Sequence, residues 1–357
     1  MADQLAEEFE KLQLQKNESE SSPKNFHLLK VIGQGGYGKV FMARRKHDAT
    51  ILAVKVIKKT EYDEDFMEEI KVFESIKSPF LCEMYEYFEA NGKIYMILEF
   101  LSGGDLFSLM ERKETFDEDS TKFYLAEIVL ALEHLHDNDV IYRDLKPENV
   151  LIDKNGHVKL TDFGLAKLNF PKGSKTETKC GTLMYQAPEI IKGYPYGHEI
   201  DIWALGCLAH YMLTGELPFE GETDKETRAK ILKEKIVMSE ETSKACRKVL
   251  RKILRRVPER RISLVELKEM EFFESIDWNN LQAMKVPFKP ELVGDDDTSQ
   301  FDQSFTDLTP VVSPCKPIRN NEEKPNNNPF SGFEYQEETR QASKKLVFQD
   351  ISNTTGV

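Results

Sequence analysis

The stretch YRDLKPENVLIDKNGHVKLTDFG, residues 142–164, restricts this chain more than any other. It sets Asp144, Lys146, Asn149 and Asp162 in a fixed order. Phosphoryl transfer requires a carboxylate beside an attacking hydroxyl, and oxygen ligands that hold magnesium against the β- and γ-phosphates. On that reading Asp144 accepts the hydroxyl proton, Lys146 steadies the γ-phosphate, and Asn149 with Asp162 holds the metal.

Upstream, GQGGYGKV (33–40) lies between two apolar runs. Gly33, Gly35, Gly36 and Gly38 let backbone N–H groups approach phosphate oxygens without interference from a Cβ. A dinucleotide fold would want a helix at the third glycine of the pattern, but KVFMARR continues as strand. Lys55 ends the polar face of the strand LAVK, and Glu69 lies on the helix that follows. Alone, the two are a surface lysine and a surface glutamate. Next to a glycine flap, the lysine can bind α- and β-phosphates and the carboxylate can hold its ammonium in place.

The pattern of apolar residues divides the chain. FHLLKVI, KVFMARR and ILAVKVI read as three antiparallel strands from Phe26 on, and KIYMILEF (93–100) as another. Phe66, Ile70 and Phe73 mark a helix over 64–77 behind an acidic first turn. Leu125, Ile128, Val129, Leu132 and Leu135 mark an amphipathic helix, and IDIWALGCLAHYML (200–213) a buried one. A strand-rich lobe over 26–100 therefore precedes a helical lobe over 101–273. Residues 1–25 are polar apart from Leu5, Phe9 and Leu12, which share one face of a short helix or docking segment. Beyond 273 prolines recur, and an extended tail is expected to residue 340, with disorder over 341–357.

Together these motifs resemble the eukaryotic protein kinases, and Tyr142 followed by RDLKPEN looks like the AGC group of serine/threonine kinases. The resemblance implies an α+β, bilobal protein kinase fold with an AGC-type C-terminal tail, ATP and Mg2+ as cofactors, and Asp144, Lys146, Lys55 and Glu69 as catalytic residues. It places Ile32, Val40, Ala53 and Leu98 around the adenine and Glu99 to Leu101 as the hinge. Asp105 and Glu148 are placed with this cleft set, where they would favour arginines N-terminal to the target Ser or Thr. Thr178 matches the activating phosphorylation site, with Arg143 and Lys167 to receive its phosphate. Thr182 matches the partner of Asp144, and Glu189 is expected to pair with Arg261.

VPFKPEL (286–292), SQFDQSFT (299–306), LTPVVSP (308–314) and FSGFEY (330–335) resemble the AGC tail, most closely that of ribosomal protein S6 kinases. Phe301 and Phe305 should fold against the hinge, and Thr309 and Ser313 match tail phosphorylation sites. Ordering six residues costs roughly 6–12 kcal/mol of backbone entropy. Burying Phe330, Phe333 and Tyr335 returns about 1.5–3 kcal/mol each. Docking of this motif is then a near-balanced equilibrium, biased by the charge of Glu334. Leu183, Met184 and Tyr211 depart from the group's pattern, and only 14 positions separate Lys55 from Glu69.

Composition excludes other classes. With 49 basic and 62 acidic residues the net charge is −13, against a nucleic-acid binder. No run of 18 apolar residues occurs, so no membrane insertion is expected. The five cysteines show neither zinc spacing nor a disulfide framework, which suits a cytoplasmic protein, with the nucleus left open. The partners implied are protein substrates with basic residues near the target and an upstream activating kinase, for a monomer. A pseudokinase scaffold is the alternative.

Overall fold

The computed structural model describes residues 22–35, 38–58, 63–238 and 242–312. The readings made on Leu5, Phe9 and Leu12, on Gly36, on Ser313 and on FSGFEY fall outside the described residues. Five strands build the first lobe: β1 (Phe26–Gly35), β2 (Gly38–Arg45), β3 (Ile51–Lys58), β4 (Met84–Ala90) and β5 (Lys93–Glu99). They pair antiparallel in the order β1-β2-β3-β5-β4. β4 is absent from the sequence reading, because EMYEYFEA interleaves acids with aromatics and lacks a β-branched residue.

Alternation along β3 explains both faces of this sheet. Leu52, Val54 and Val56 join Phe26, Val31, Phe41, Phe88, Tyr95 and Ile97 in one apolar cluster. Ala53 and Lys55 point to the other face, as the two-residue period requires. There Val40 lies opposite Lys55 and Ala53 opposite Leu98. Helix α1 (Asp63–Ser75) covers this second face with Ile70 and Phe73, which brings Glu69 inward.

The second lobe follows with α2 (Leu106–Lys113), α3 (Glu118–Asp137), the hairpin β6 (Val150–Ile152) and β7 (Val158–Leu160), then α4 (Pro188–Lys192), α5 (Glu199–Thr214), α6 (Asp224–Lys233), α7 (Lys244–Ile253) and α8 (Leu264–Lys268). Asp117 caps α3 through Ser120 N at 2.7 Å, with Glu118 and Asp119 in the first turn. α5 is buried almost all round, as its composition predicts. A Cβ on its Gly206 would lie 2.4 Å from Ile253 Cγ2 of α7, so the two helices pack backbone to side chain. Among the described residues no helix is long and apolar enough to cross a membrane.

The tail runs back over both lobes and ends, in the described part, with α9 (Gln303–Thr306) beside β1. Phe301 stacks on Phe100 of the hinge at 5.6 Å, and Phe305 packs against the β-sheet cluster. Arg112 holds Gln300 by its carbonyl and its side chain, at 3.2 and 3.0 Å. Gly104, at φ +76°, leaves room for Gln300 O, which a Cβ there would meet at 2.4 Å.

Candidate active site

Three segments converge between the lobes. From β3, Lys55 Nζ donates to Glu69 Oε1 of α1 at 2.7 Å and to Asp162 Oδ1 at 2.9 Å. Burial opposes the lysine's charge, but Asp162 and Glu69 outweigh it and hold the ammonium well above its ordinary range. Burial pushes the Glu69 carboxyl up, while Asp162 is held below the usual carboxylate range because Lys55 overrides its desolvation. One cation shared by two acids thus keeps Asp162 ionised on the cleft side. Asp162 has φ +58°, and Phe163 behind it packs edge-on against Phe73 of α1 at 4.8 Å and against Tyr142 at 5.8 Å. The buried phenylalanine fixes where the acid points.

The catalytic-loop segment is as tightly constrained. Arg143 has φ +69°, a conformation that costs of order 1–3 kcal/mol and needs support. Asp201 of α5 gives it: its Oδ1 accepts from Arg143 N at 2.8 Å, and its Oδ2 from Tyr142 N at 3.0 Å and from the His136 ring at 2.8 Å. The following turn delivers Asp144, whose Oδ1 accepts from Thr182 Oγ1 at 3.2 Å and whose Oδ2 lies 3.0 Å from both Asn149 Nδ2 and Lys146 Nζ. Lys146 also donates to Thr182 Oγ1 at 3.3 Å. Burial opposes the Lys146 charge, yet Asp144 and Glu148 raise its pKa above the ordinary lysine value. Asn149 Nδ2 donates as well to Asp144 O at 2.9 Å, which turns its Oδ1 away from Asp144.

The nucleotide-facing residues lie around this centre. Gly33, Gly35 and Gly38 form the β1–β2 hairpin, and a Cβ at Gly38 would fall 2.1 Å from Val56 O. Ala53, Leu98 and Leu101 are buried, with Ile32 and Val40 partly so. The Glu99 side chain turns to the back of the hinge, where Lys159 Nζ of β7 reaches Oε1 at 2.7 Å and Oε2 at 2.8 Å, leaving only its backbone for the cleft.

At the cleft mouth, Asp105 caps α2, its Oδ1 on Ser108 N at 2.7 Å and its Oδ2 on Ser108 Oγ at 2.9 Å. Glu148 Oε2 is buried without a hydrogen-bond partner, and burial raises its pKa. Thr178 and Thr309 are exposed. Arg143 Nε donates to Leu165 O at 2.6 Å, Lys167 Nζ lies over the Phe170 ring, and the Tyr196 hydroxyl holds Thr178 O at 2.5 Å. Glu189 and Arg261 pair through both oxygens at 2.7 and 3.0 Å, away from the cleft, as a structural contact.

The sequence reading missed Asp201 and Lys159. Asp201 had a signal: it is the lone acid in IDIWALG, and a buried charge in an apolar helix needs a partner. Lys159 had none, since its role depends on β7 meeting the hinge.

A glycine hairpin over a lysine held by two acids, above a carboxylate grouped with an amide, an ammonium and a threonine hydroxyl, defines a protein kinase cleft. Residues 26–273 match the protein kinase domain and residues 292–335 the protein kinase C terminal domain. The chain belongs to the protein kinase family, with a sheet-built N-lobe, a helical C-lobe and the C-terminal tail domain of AGC kinases. It is similar to a ribosomal protein S6 kinase beta of Caenorhabditis elegans, 44 % identical over 329 residues, covering 88 % of this chain and 59 % of that protein. To ribosomal protein S6 kinase alpha-1 of Homo sapiens it is 41 % identical over 317 residues, covering 83 % of this chain and 42 % of the other. The chain spans about half the length of the curated relatives it matches.

Proposed function

We propose that the chain transfers the γ-phosphoryl group of ATP to Ser or Thr hydroxyls of proteins in the presence of Mg2+. The observation that carries this reading is the grouping of Lys146, Asn149 and Thr182 around Asp144 within 3.2 Å. Asp144 is positioned to take the acceptor's hydroxyl proton, and Lys146, two residues on, suits a Ser or Thr acceptor. Lys55 would hold the α- and β-phosphates, and Glu69 would hold Lys55. Among the described residues no three His, Cys, Asp or Glu side chains gather as a metal cage. Asp162 and the Asn149 amide oxygen are the donors that fit a magnesium ion completed by phosphates. When bound, that ion would neutralise charge developing on the phosphate oxygens.

The specificity follows from the cleft mouth. Asp105 has committed both oxygens to Ser108, whereas Glu148 keeps one without a partner. Glu148 would then be the main receptor for an arginine N-terminal to the target, with Asp105, whose oxygens can each accept a further bond, as the second. Thr178 phosphorylation would recruit Arg143 and Lys167 and order the activation segment. Glu334 would substitute a permanent charge for a phosphate in the tail motif. Regulation by an upstream kinase, the monomeric state and the cytoplasmic location, with the nucleus left open, belong to the same proposal. The pseudokinase reading has no residue to support it, because none of the phosphate- or metal-facing positions is substituted.

The experiment is phosphoryl transfer to an array of peptides, using full chain phosphorylated at Thr178. Wild type should select arginine N-terminal to the acceptor. Glu148→Gln should lose most of that selection while still phosphorylating the other peptides, and Asp162→Asn should phosphorylate nothing. Transfer by Asp162→Asn at the wild-type rate would overturn the catalytic reading, and an unaltered preference in Glu148→Gln the specificity.

A further inference from the structure

Residues 244–261, KACRKVLRKILRRVPERR, hold nine of the 49 Lys and Arg but only one of the 62 acids, Glu259. The rest of the chain is left with 40 basic and 61 acidic residues. Two of the nine are committed inside the fold: Arg261 to Glu189, and Arg256, whose Nε donates to Ile231 O at 2.7 Å and closes the end of α6. Lys244, Lys248, Arg251, Lys252 and Arg255 are exposed and form no ion pair among the described residues. Spaced i, i+4, i+7, i+8 and i+11, they line the outer face of α7 and the turn after it.

This arrangement works against the helix. Lys244 with Lys248, Lys248 with Lys252 and Arg247 with Arg251 are like-charge pairs at i, i+4, each unfavourable. The first turn carries Lys244 and no acid of its own, the wrong sign for the dipole, whereas Arg251 and Lys252 in the last turn have the right one, so the dipole accounts for two of these charges and not for the rest. The nearby acids relieve it only in part: Glu266 attracts Lys252 while its Oε2 accepts from Ser263 N, and Glu118 accepts from the N-cap Ser243 N. Glu240 and Glu241, ahead of the helix, lie outside the described residues. Nothing in the packing demands these charges, since α7 meets α5 through Cys246, Val249, Leu250 and Ile253 on the opposite face.

We propose that the outer face of α7 docks an acidic polypeptide segment of another protein, one that presents carboxylates at helical i, i+4 spacing. The strip over Lys244–Lys252 is about 12 Å long at 1.5 Å per residue, the reach of a few turns of a partner helix. With screening over about 8 Å at physiological salt, a short segment meets the field of this strip and of its few adjacent acids, Glu266 and Glu118, rather than that of the whole chain. A duplex or a bilayer is far larger than this strip and would meet more of a chain whose remaining residues are 61 acidic against 40 basic. An interfacial membrane helix also needs its apolar face free to insert, and that of α7 is buried against α5.

The test uses full-length protein and a fluorescein-labelled helical peptide with glutamates at i, i+4, read by anisotropy at physiological salt. Phosphatidylserine vesicles and an RNA duplex serve as competitors. Wild type should bind the peptide saturably. The triple variant Lys248→Glu, Arg251→Glu, Lys252→Glu should weaken binding by about tenfold or more, and the matching Gln variants by less. Both should phosphorylate a short peptide at the wild-type rate, which shows that they fold. No saturable binding by wild type, equal binding by the variants, or tighter binding of vesicles or duplex than of peptide would each overturn the proposal.

Discussion

Two buried ion networks in this kinase fold differ in how completely their partners are used. Arg261 and Glu189 match donor to acceptor on both oxygens, with Arg261 Nε also on Arg255 O at 3.0 Å, Nη1 also on Glu199 O at 2.6 Å and the guanidinium over Trp203 at 5.3 Å. Lys55 instead faces two carboxylates at once, and the Asp162 side chain is still 33 % exposed toward the cleft. A saturated pair holds two elements together, whereas an unsaturated one keeps bonding capacity for something that arrives. Burial alone does not mark a functional site; unused hydrogen-bonding capacity beside burial does.

Substitutions can break that contrast. The largest effect is expected on rate: Asp144→Asn should lower the turnover number about 10²–10⁴-fold, with thermal unfolding near that of wild type, measured on the same preparation. Arg261→Ala should do the reverse. It strands Glu189 in the interior and should cost about 3–5 kcal/mol in urea unfolding, and an unchanged midpoint would erase the distinction.

The third effect is a pH dependence. Because Lys55 depresses the folded-state pKa of Asp162, this acid contributes stability that is present above its unfolded value, near 3.8, and lost as pH falls through the lower folded value. Asp162→Asn should therefore flatten the acid limb of unfolding below about pH 4; an equally steep limb would count against the shared-cation account. Glu69, raised by burial, acts in the opposite sense, so Glu69→Gln should leave that limb at least as steep.

The smallest effect concerns the outer face of α7. Lys248→Glu turns two repulsive i, i+4 contacts into attractive ones and should raise stability by a few tenths to about 1 kcal/mol. A lower melting temperature would show that the strip is already neutralised from within.

Much of the cleft was legible in sequence because phosphoryl transfer demands particular groups in a particular order. Asp144, Lys146, Asn149 and Asp162 lie within one stretch of 23 residues, and the glycines of the β1–β2 hairpin are explained by backbone geometry alone. β4 was not legible, since its acids and aromatics hide the strand pattern until β5 pairs with it. Asp201 stood out as a lone acid in an apolar helix, but its role did not, because two of its partners, Tyr142 N and Arg143 N, are main-chain groups with no sequence signal. The commitment of Asp105 to Ser108, against the free oxygen of Glu148, is likewise decided by where α2 begins.

The sequence by itself determined the chemistry on offer: which residues can bind phosphate, hold a cation or take a proton, and that β3, α1 and the catalytic stretch must lie near one another for any of it to matter. Only the tertiary structure decided how those groups divide their bonds. It gave Lys55 to two acids, tied Glu99 to Lys159 behind the hinge, and left the cations of α7 to the solvent. The physical reason is that residue type fixes how many bonds a side chain can make, whereas the packing of distant segments fixes which of them are already made.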